Sequence, residues 1–196
     1  MKRYAAALLL FLPVLCPADP VNDSLDRIHS AYERGELRHC LTELEGAVRL
    51  VREKLVEKIG LCLPDAFGGW EPMNTSGGPA AMLSRALRVS RLYYNGDTGA
   101  SIEIQISFDR SRAAVLRSWI ANPLDFRRDN QKAELLNIAS NRFIVSYDEH
   151  DRHGELKTAL SGSAALELIG DGLAGADDLI DFAEKLDIEK LEAAFH

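Results

Sequence analysis

The densest group of side chains able to do chemistry occupies six consecutive residues, Asp148-Glu149-His150-Asp151-Arg152-His153. Calcium prefers several carboxylate oxygens, and zinc is often held by two histidines and a carboxylate. The metal-ligand candidates in this segment are Asp148, His150, Asp151 and His153. The spacing fits no established metal loop, and a tight turn between two strands needs polar residues at the same place. A solvated turn is therefore the simpler interpretation, and a metal-dependent function is the alternative.

Motifs of hydrolytic, phosphate-binding and dinucleotide-binding enzymes are absent from the sequence. It contains no Gly-x-Ser-x-Gly elbow, no His-Glu-x-x-His helix, and no Walker or Gly-rich dinucleotide fingerprint. His39 and Cys40 are adjacent, but neighbours on a helix point in different directions and cannot form a nucleophile and base pair. The sequence therefore predicts a non-enzymatic protein without a cofactor.

The charge of the chain argues against nucleic acid as a partner. The 30 acidic residues outnumber the 23 basic ones, for a formal net charge of -7. Binding to phosphates needs a concentrated field of Lys and Arg, and the basic residues here are scattered. An unknown envelope protein or a small ligand is the expected partner.

The first eighteen residues have the pattern of a secretory signal. Lys2 and Arg3 precede an apolar segment from Ala5 to Leu15, which is followed by Cys16-Pro17-Ala18. Small residues at this point indicate cleavage near Ala18, and the mature chain has no apolar run long enough to span a bilayer. A lipoprotein would carry its acyl group on Cys16, but Leu15 is large for that motif. We expect a periplasmic protein.

The elements that position these residues begin with a long helix over residues 35–62. Its apolar residues recur in alternating steps of four and three, the spacing of a heptad stripe: Leu37, Leu41, Leu44, Val48, Val51 and Leu55. A short helix carrying Leu25, Ile28 and Tyr32 precedes it, and Arg34-Gly35 separates the two. The pattern predicts an antiparallel helical hairpin over residues 19–62, in which the short helix covers part of the stripe. The competing interpretation is a helix-mediated homodimeric structural protein.

Two cysteines, Cys40 and Cys62, remain after the signal. If one helix joins them, they lie roughly 33 Å apart and cannot bridge. Free thiols are expected, with a bridge between chains as the alternative.

Residues 63–196 predict an α+β sandwich domain. Trp70 follows Gly68-Gly69 and is expected to anchor the chain, and residues 73–83 resemble a flexible connector or a mobile flap. From Arg85 the apolar period changes to two, most clearly at Ile102, Ile104 and Ile106. A helix over 111–121, four further strand candidates between 133 and 169, and one final helix from Asp177 complete the order. The fold class is α+β, with a mainly antiparallel sheet and helices packed on it.

A ligand would enter the groove between this sheet, the long helix and the 74–83 loop. The ligand-binding candidates are Trp70, Met82 and Tyr93. An aromatic side chain in such a position is more often buried structure than a ligand platform, so both interpretations stay open.

Several short motifs together resemble an uncharacterised family of exported bacterial proteins. These are Gly35-Glu36-Leu37 before the long helix, Leu63-Pro64 followed by Gly69-Trp70, and the terminal Leu186-Asp187-Ile188-Glu189-Lys190-Leu191. The resemblance implies a periplasmic location. The order of strands and helices is also similar to that of PsbP-like α/β sandwiches. Neither resemblance brings a catalytic motif, and fold likeness alone does not imply chemistry.

Overall fold

The computed structural model of the chain describes residues 19–76, 88–124, 126 and 133–195. The predicted signal segment and Met82 lie outside these ranges. Two helices come first, α1 (Pro20–Glu33) and α2 (Leu37–Gly60). The remaining elements are β1 (Trp70–Ser76), β2 (Arg88–Asn95), β3 (Ser101–Ser107), α3 (Arg110–Ala121), β4 (Ala133–Ile138), β5 (Asn141–Asp148), β6 (His153–Ala159), β7 (Ala165–Asp171), α4 (Asp177–Ala183) and α5 (Ile188–Ala193).

The chain divides into two compact units, and the division falls after Leu50, within α2. We call residues up to Leu50 the hairpin unit and residues from Val51 the sheet unit. The first contains α1 and the amino-terminal half of α2. The second contains the rest of α2 and every strand named above.

The helical hairpin predicted for the amino-terminal region is confirmed. The Asp19 carboxylate caps α1 by accepting a hydrogen bond from the Val21 amide at 3.0 Å. Gly35 adopts φ +72° between the helices, which only glycine does at little cost. The Glu36 amide donates to the Ala31 carbonyl at 2.9 Å, which closes the turn.

The prediction that α1 covers the stripe of α2 is wrong. Leu37 and Leu41 are 61% and 62% exposed, Val48 is 48% exposed, and Leu44 and Val51 are exposed as well. Helix α2 instead buries Cys40 and Ala47, each one residue before a member of the stripe. Small side chains therefore occupy the buried side of this part of α2, and the larger ones remain exposed.

The strands form one seven-stranded antiparallel sheet in the order β1-β2-β3-β7-β6-β5-β4. Together with the helices, this confirms the predicted α+β class. Two meanders, β1 to β3 and β4 to β7, meet where β3 pairs with β7. Helix α3 lies between the meanders in sequence.

One face of the sheet forms the main core. Ile102, Ile104 and Ile106 are fully buried on β3, with Leu166 and Leu168 beside them on β7. Helices α4 and α5 add Leu179, Phe182 and Leu191 to this core. Gly170 permits the close approach of the segment after β7, because a Cβ there would lie 2.6 Å from a Leu173 methyl carbon.

The opposite face of the sheet packs against α3 through a smaller cluster around Leu116, Phe126, Ile144 and Ala165. On this face Glu167 is buried in the middle of β7, and the Arg112 guanidinium of α3 forms an ion pair with it. A buried carboxylate needs such a partner, so the pair helps to fix α3 on the sheet.

Two local predictions for the sheet unit need correction. Residues 73–76, predicted as a connector, belong to strand β1, which pairs with β2 across a shift in register between Pro72 and Thr75. The single final helix is two helices, because Asp187 caps α5 by accepting from the Lys190 amide at 2.9 Å. Pairing with β2 makes residues 73–76 a strand, and the cap at Asp187 starts a new helix.

Candidate functional site

Trp70 and Tyr93, two of the predicted ligand-binding residues, lie in one buried aromatic cluster. The centroid of the Phe182 ring lies 5.9 Å from that of Trp70 and 4.9 Å from that of Tyr93, both in edge-on arrangements. The Phe67 ring also packs on Phe182, at 5.0 Å. Such pairs stabilise a core beyond the area they bury. The structure thus brings Trp70 and Tyr93 together through Phe182, and the third candidate, Met82, lies outside the described residues.

The Tyr93 hydroxyl is used by the fold. It donates a hydrogen bond to the Pro64 carbonyl at 2.7 Å, and so ties strand β2 to the segment after α2. Burial raises the pKa of Tyr93 above its ordinary value, an effect that the nearby Arg91 guanidinium partly offsets. Arg91 itself donates to the Gly60 carbonyl at 2.9 Å. Both side chains therefore hold the chain where it leaves α2.

A cleft of about 420 Å³ opens beside the aromatic cluster. Its lining consists of Phe67, Gly68, Trp70, Asn95, Asp178, Asp181, Glu184 and Lys185. Three carboxylates face one ammonium group, so the cleft attracts cations and amines rather than anions. Local structure already engages part of this lining, since the Asp178 carboxylate accepts from the Ala174 amide at 2.7 Å and the Asn95 side chain accepts from the Asp97 amide at 3.1 Å.

The sequence pattern predicts a helix from Asp177 but does not connect its acidic residues with Trp70. Asp178, Asp181 and Glu184 recur every three residues, which is a signal for one side of a helix. Their position beside Trp70 depends on how α4 crosses the sheet, and no local pattern encodes that.

The segment Asp148 to His153 forms the turn between β5 and β6. The Asp148 carboxylate accepts from the His150 amide at 3.1 Å and from the Asp151 amide at 3.4 Å, as in an Asx turn. His153 pairs with Asp171 across β6 and β7, and its Nδ1 lies 2.7 Å from the Asp171 Oδ1. Within the described ranges, no group of three or more His, Cys, Asp or Glu side chains is arranged to hold a metal ion. A metal site here stays a prediction.

The two cysteines are free in the structure. Cys40 is buried in the hairpin unit, whereas Cys62 is half-buried in the sheet unit. The Cys62 thiol lies within hydrogen-bond distance of the Lys58 carbonyl, at 3.3 Å. Each thiol thus packs as a small side chain in its own unit.

The stripe of α2 is a row of exposed apolar side chains. Leu37, Leu41, Leu44, Val48 and Val51 continue along one side of the helix for about four turns. Side chains of this kind contribute little to an isolated copy while they remain in water. A helix repeats its own side chains at the same spacing, so the stripe has the geometry of a helix-docking surface.

No family model matches the chain. Curated proteins and solved structures give no match either. The resemblance to exported bacterial proteins therefore stays a prediction. None of the helices in the described ranges is both long and apolar enough to cross a membrane.

Proposed function

We propose that this chain is a non-enzymatic exported protein that binds a partner presenting an amphipathic α-helix. The docking surface is the stripe on α2 formed by Leu37, Leu41, Leu44 and Val48. The observation that carries the proposal is the exposure of these side chains, with Leu41 at 62%. The exported location rests on the pattern of residues 1–18 alone.

Apolar surface that stays in water leaves free energy of burial available to a binding partner. Full burial of a leucine contributes roughly 1.5–3 kcal/mol, and about half of that remains available for a half-exposed side chain. Four such residues in one row therefore offer several kcal/mol to a helix that covers them. Exposed apolar residues scattered singly need no explanation, but a continuous row at heptad spacing indicates an interaction surface.

The charges beside the stripe set the preference for the partner. Arg38, Glu45 and Arg52 follow Leu37, Leu44 and Val51 by one residue each, at heptad e positions. Arg38 and Glu45 are exposed. A partner helix that places acidic residues beside Arg38 and Arg52 and a basic residue beside Glu45 would be favoured. A partner helix that places like charges there would bind more weakly.

Binding of a synthetic helical peptide with leucine at the a and d positions of four heptads tests the proposal. Fluorescence anisotropy of the labelled peptide, with the chain at nanomolar to micromolar concentration, should show binding. The double variant Leu41→Asp with Leu44→Asp should bind the peptide at least about tenfold more weakly, because two charges enter the centre of the docking surface.

The matched control is Leu61→Asp, since Leu61 is 74% exposed and lies outside the stripe. It should bind the peptide as the parent does. Absence of peptide binding by the parent, or an equal loss in the Leu61 variant, would show that the stripe is not a docking surface. Circular dichroism of each variant verifies that its helices are retained.

A further inference from the structure

The side of α1 that faces α2 is identified by a chain of hydrogen bonds. Arg27 donates to the Ser24 hydroxyl and to the Glu43 carboxylate, both at 2.8 Å. Ser24 thus lies on the side of α1 that is directed at α2. The buried residues of the hairpin unit, between Asp19 and Leu50, are small and lie seven positions apart on each helix: Ser24 and Ala31 on α1, Cys40 and Ala47 on α2. We infer that these four side chains form the contact between the helices.

Four exposed apolar residues of the two helices follow these buried positions by one residue, and Leu37 and Leu44 precede Cys40 and Ala47 by three. Leu25 follows Ser24 and Tyr32 follows Ala31, while Leu41 follows Cys40 and Val48 follows Ala47. One residue rotates about 100° around a helix. Because the helices run antiparallel, the two rotations carry these side chains to the same side of the hairpin. We call this surface the hairpin face: Leu25, Tyr32, Leu37, Leu41, Leu44 and Val48.

We propose that the hairpin face binds the hairpin face of a second copy of this chain, so that two hairpins form an antiparallel four-helix bundle. This inference rests on the proposed function and names its partner. In the bundle, α2 runs antiparallel to α2 of the second copy, with Leu37 opposite Val48 and Leu41 opposite Leu44. Two-fold symmetry repeats each contact.

Charge complementarity selects this register. In an antiparallel pair of helices the e positions face each other. Arg38 then lies beside Glu45 of the second copy, and the contact occurs twice. Sliding one helix by a heptad, so that Leu37 meets Leu55, places Glu45 beside Glu45 and Arg38 beside Arg52. Like charges in contact destabilise that alternative.

A slide by two heptads and a parallel pair each lose either an exposed apolar contact or a pair of opposite charges. Sliding by a second heptad restores opposite charges between Glu45 and Arg52, but it requires Leu55, which already packs against the core of the sheet unit. A parallel pair would place Glu45 beside Cys40, which is buried inside the hairpin. Only the antiparallel register within residues 37–48 pairs opposite charges and exposed apolar residues together.

The area of the hairpin face sets the expected affinity. Six half-exposed side chains from each copy bury on the order of 1,000 Å² in total, near the lower end for specific interfaces. The expected dissociation constant is therefore in the micromolar range rather than the nanomolar range.

Sedimentation velocity of the purified chain, from about 1 to about 200 µM, tests the inference because it covers this range of affinities. The parent should pass from monomer to dimer. Arg38→Glu alone and Glu45→Arg alone should each raise the dissociation constant at least about tenfold, since each brings like charges together twice. An equal mixture of the two variants should form a mixed dimer at least as tight as the parent dimer, because opposite charges then meet at both contacts.

Arg110→Glu is the matched control, because Arg110 is exposed on α3 of the sheet unit. It should leave the dissociation constant unchanged. Single-charge variants that dimerise like the parent, or a mixture that does not recover, would overturn the register. A parent that stays monomeric yet binds the leucine peptide would overturn the second copy as partner while the proposed function stands. If the parent neither self-associates nor binds the peptide, both the second copy as partner and the proposed function are refuted.

Discussion

The two units of this chain treat their apolar residues in opposite ways. In the sheet unit, Ile104 of β3 is fully buried in the core that the sheet forms with helices α4 and α5. In the hairpin unit, Leu41 of α2 remains exposed, although Cys40, one residue before it, is buried. Apolar periodicity therefore identifies a side of a helix or strand that can be buried. Whether another part of the same chain buries it depends on the rest of the fold.

The largest expected difference between the units is in the response to truncation of a leucine. Leu168→Ala, at a fully buried position, should lower the free energy of unfolding by about 3 kcal/mol, because it leaves a cavity in the core. Leu41→Ala should change it by less than about 0.5 kcal/mol at concentrations where the chain is monomeric. Urea denaturation followed by circular dichroism measures both. Equal losses would mean that the stripe is covered within one copy.

The ion pair between α3 and the sheet shows what burial means for a charged group in the sheet unit. Arg112→Ala should destabilise the sheet unit by about 2 kcal/mol, because it leaves the buried Glu167 carboxylate without its charge partner; partial exposure of the guanidinium keeps the loss below the full range. Both tryptophans, Trp70 and Trp119, lie in the sheet unit, so their fluorescence reports its unfolding.

A second substitution separates loss of the ion pair from loss of packing around α3. Adding Glu167→Leu to Arg112→Ala should recover much of the lost stability, since no buried charge remains. If the double variant is as unstable as the single one, packing by the arginine side chain is the larger contribution.

The smallest effect concerns Tyr93. Tyr93→Phe should cost about 1 kcal/mol at neutral pH, because the hydrogen bond to Pro64 is lost. Since burial raises the pKa of Tyr93 in the folded state, its neutral form is favoured by folding. That contribution is complete below the unfolded value of about 10 and is lost as pH rises toward the folded pKa.

Denaturation at neutral and strongly alkaline pH measures this effect. The phenylalanine variant should lack the part of the alkaline destabilisation that comes from Tyr93. Tyr94→Phe is the control, because Tyr94 is exposed on the opposite face of β2 and should behave as the parent at both pH values. An identical alkaline loss in parent and Tyr93→Phe would contradict the role given to burial.

Much of the sheet unit was predictable because its signals are local. The alternation of Ile102, Ile104 and Ile106 gave β3, and Asn95 to Gly99 marked the turn before it. Strand β1 was not predicted because Pro72 and Asn74 are residue types depleted in strands. Pairing with β2 overrides that propensity.

The sequence alone determined where most of the helices and strands lie, since a period of two or of three to four follows from the geometry of the backbone over neighbouring residues. It also placed Leu37, Leu41, Leu44 and Val48 on one side of α2. Only the tertiary structure decided that this side stays exposed, that Trp70 and Tyr93 meet at Phe182, and that Glu167 is paired with Arg112. The physical reason is that burial depends on contacts between residues far apart in the chain, and no local pattern specifies which distant residue will arrive.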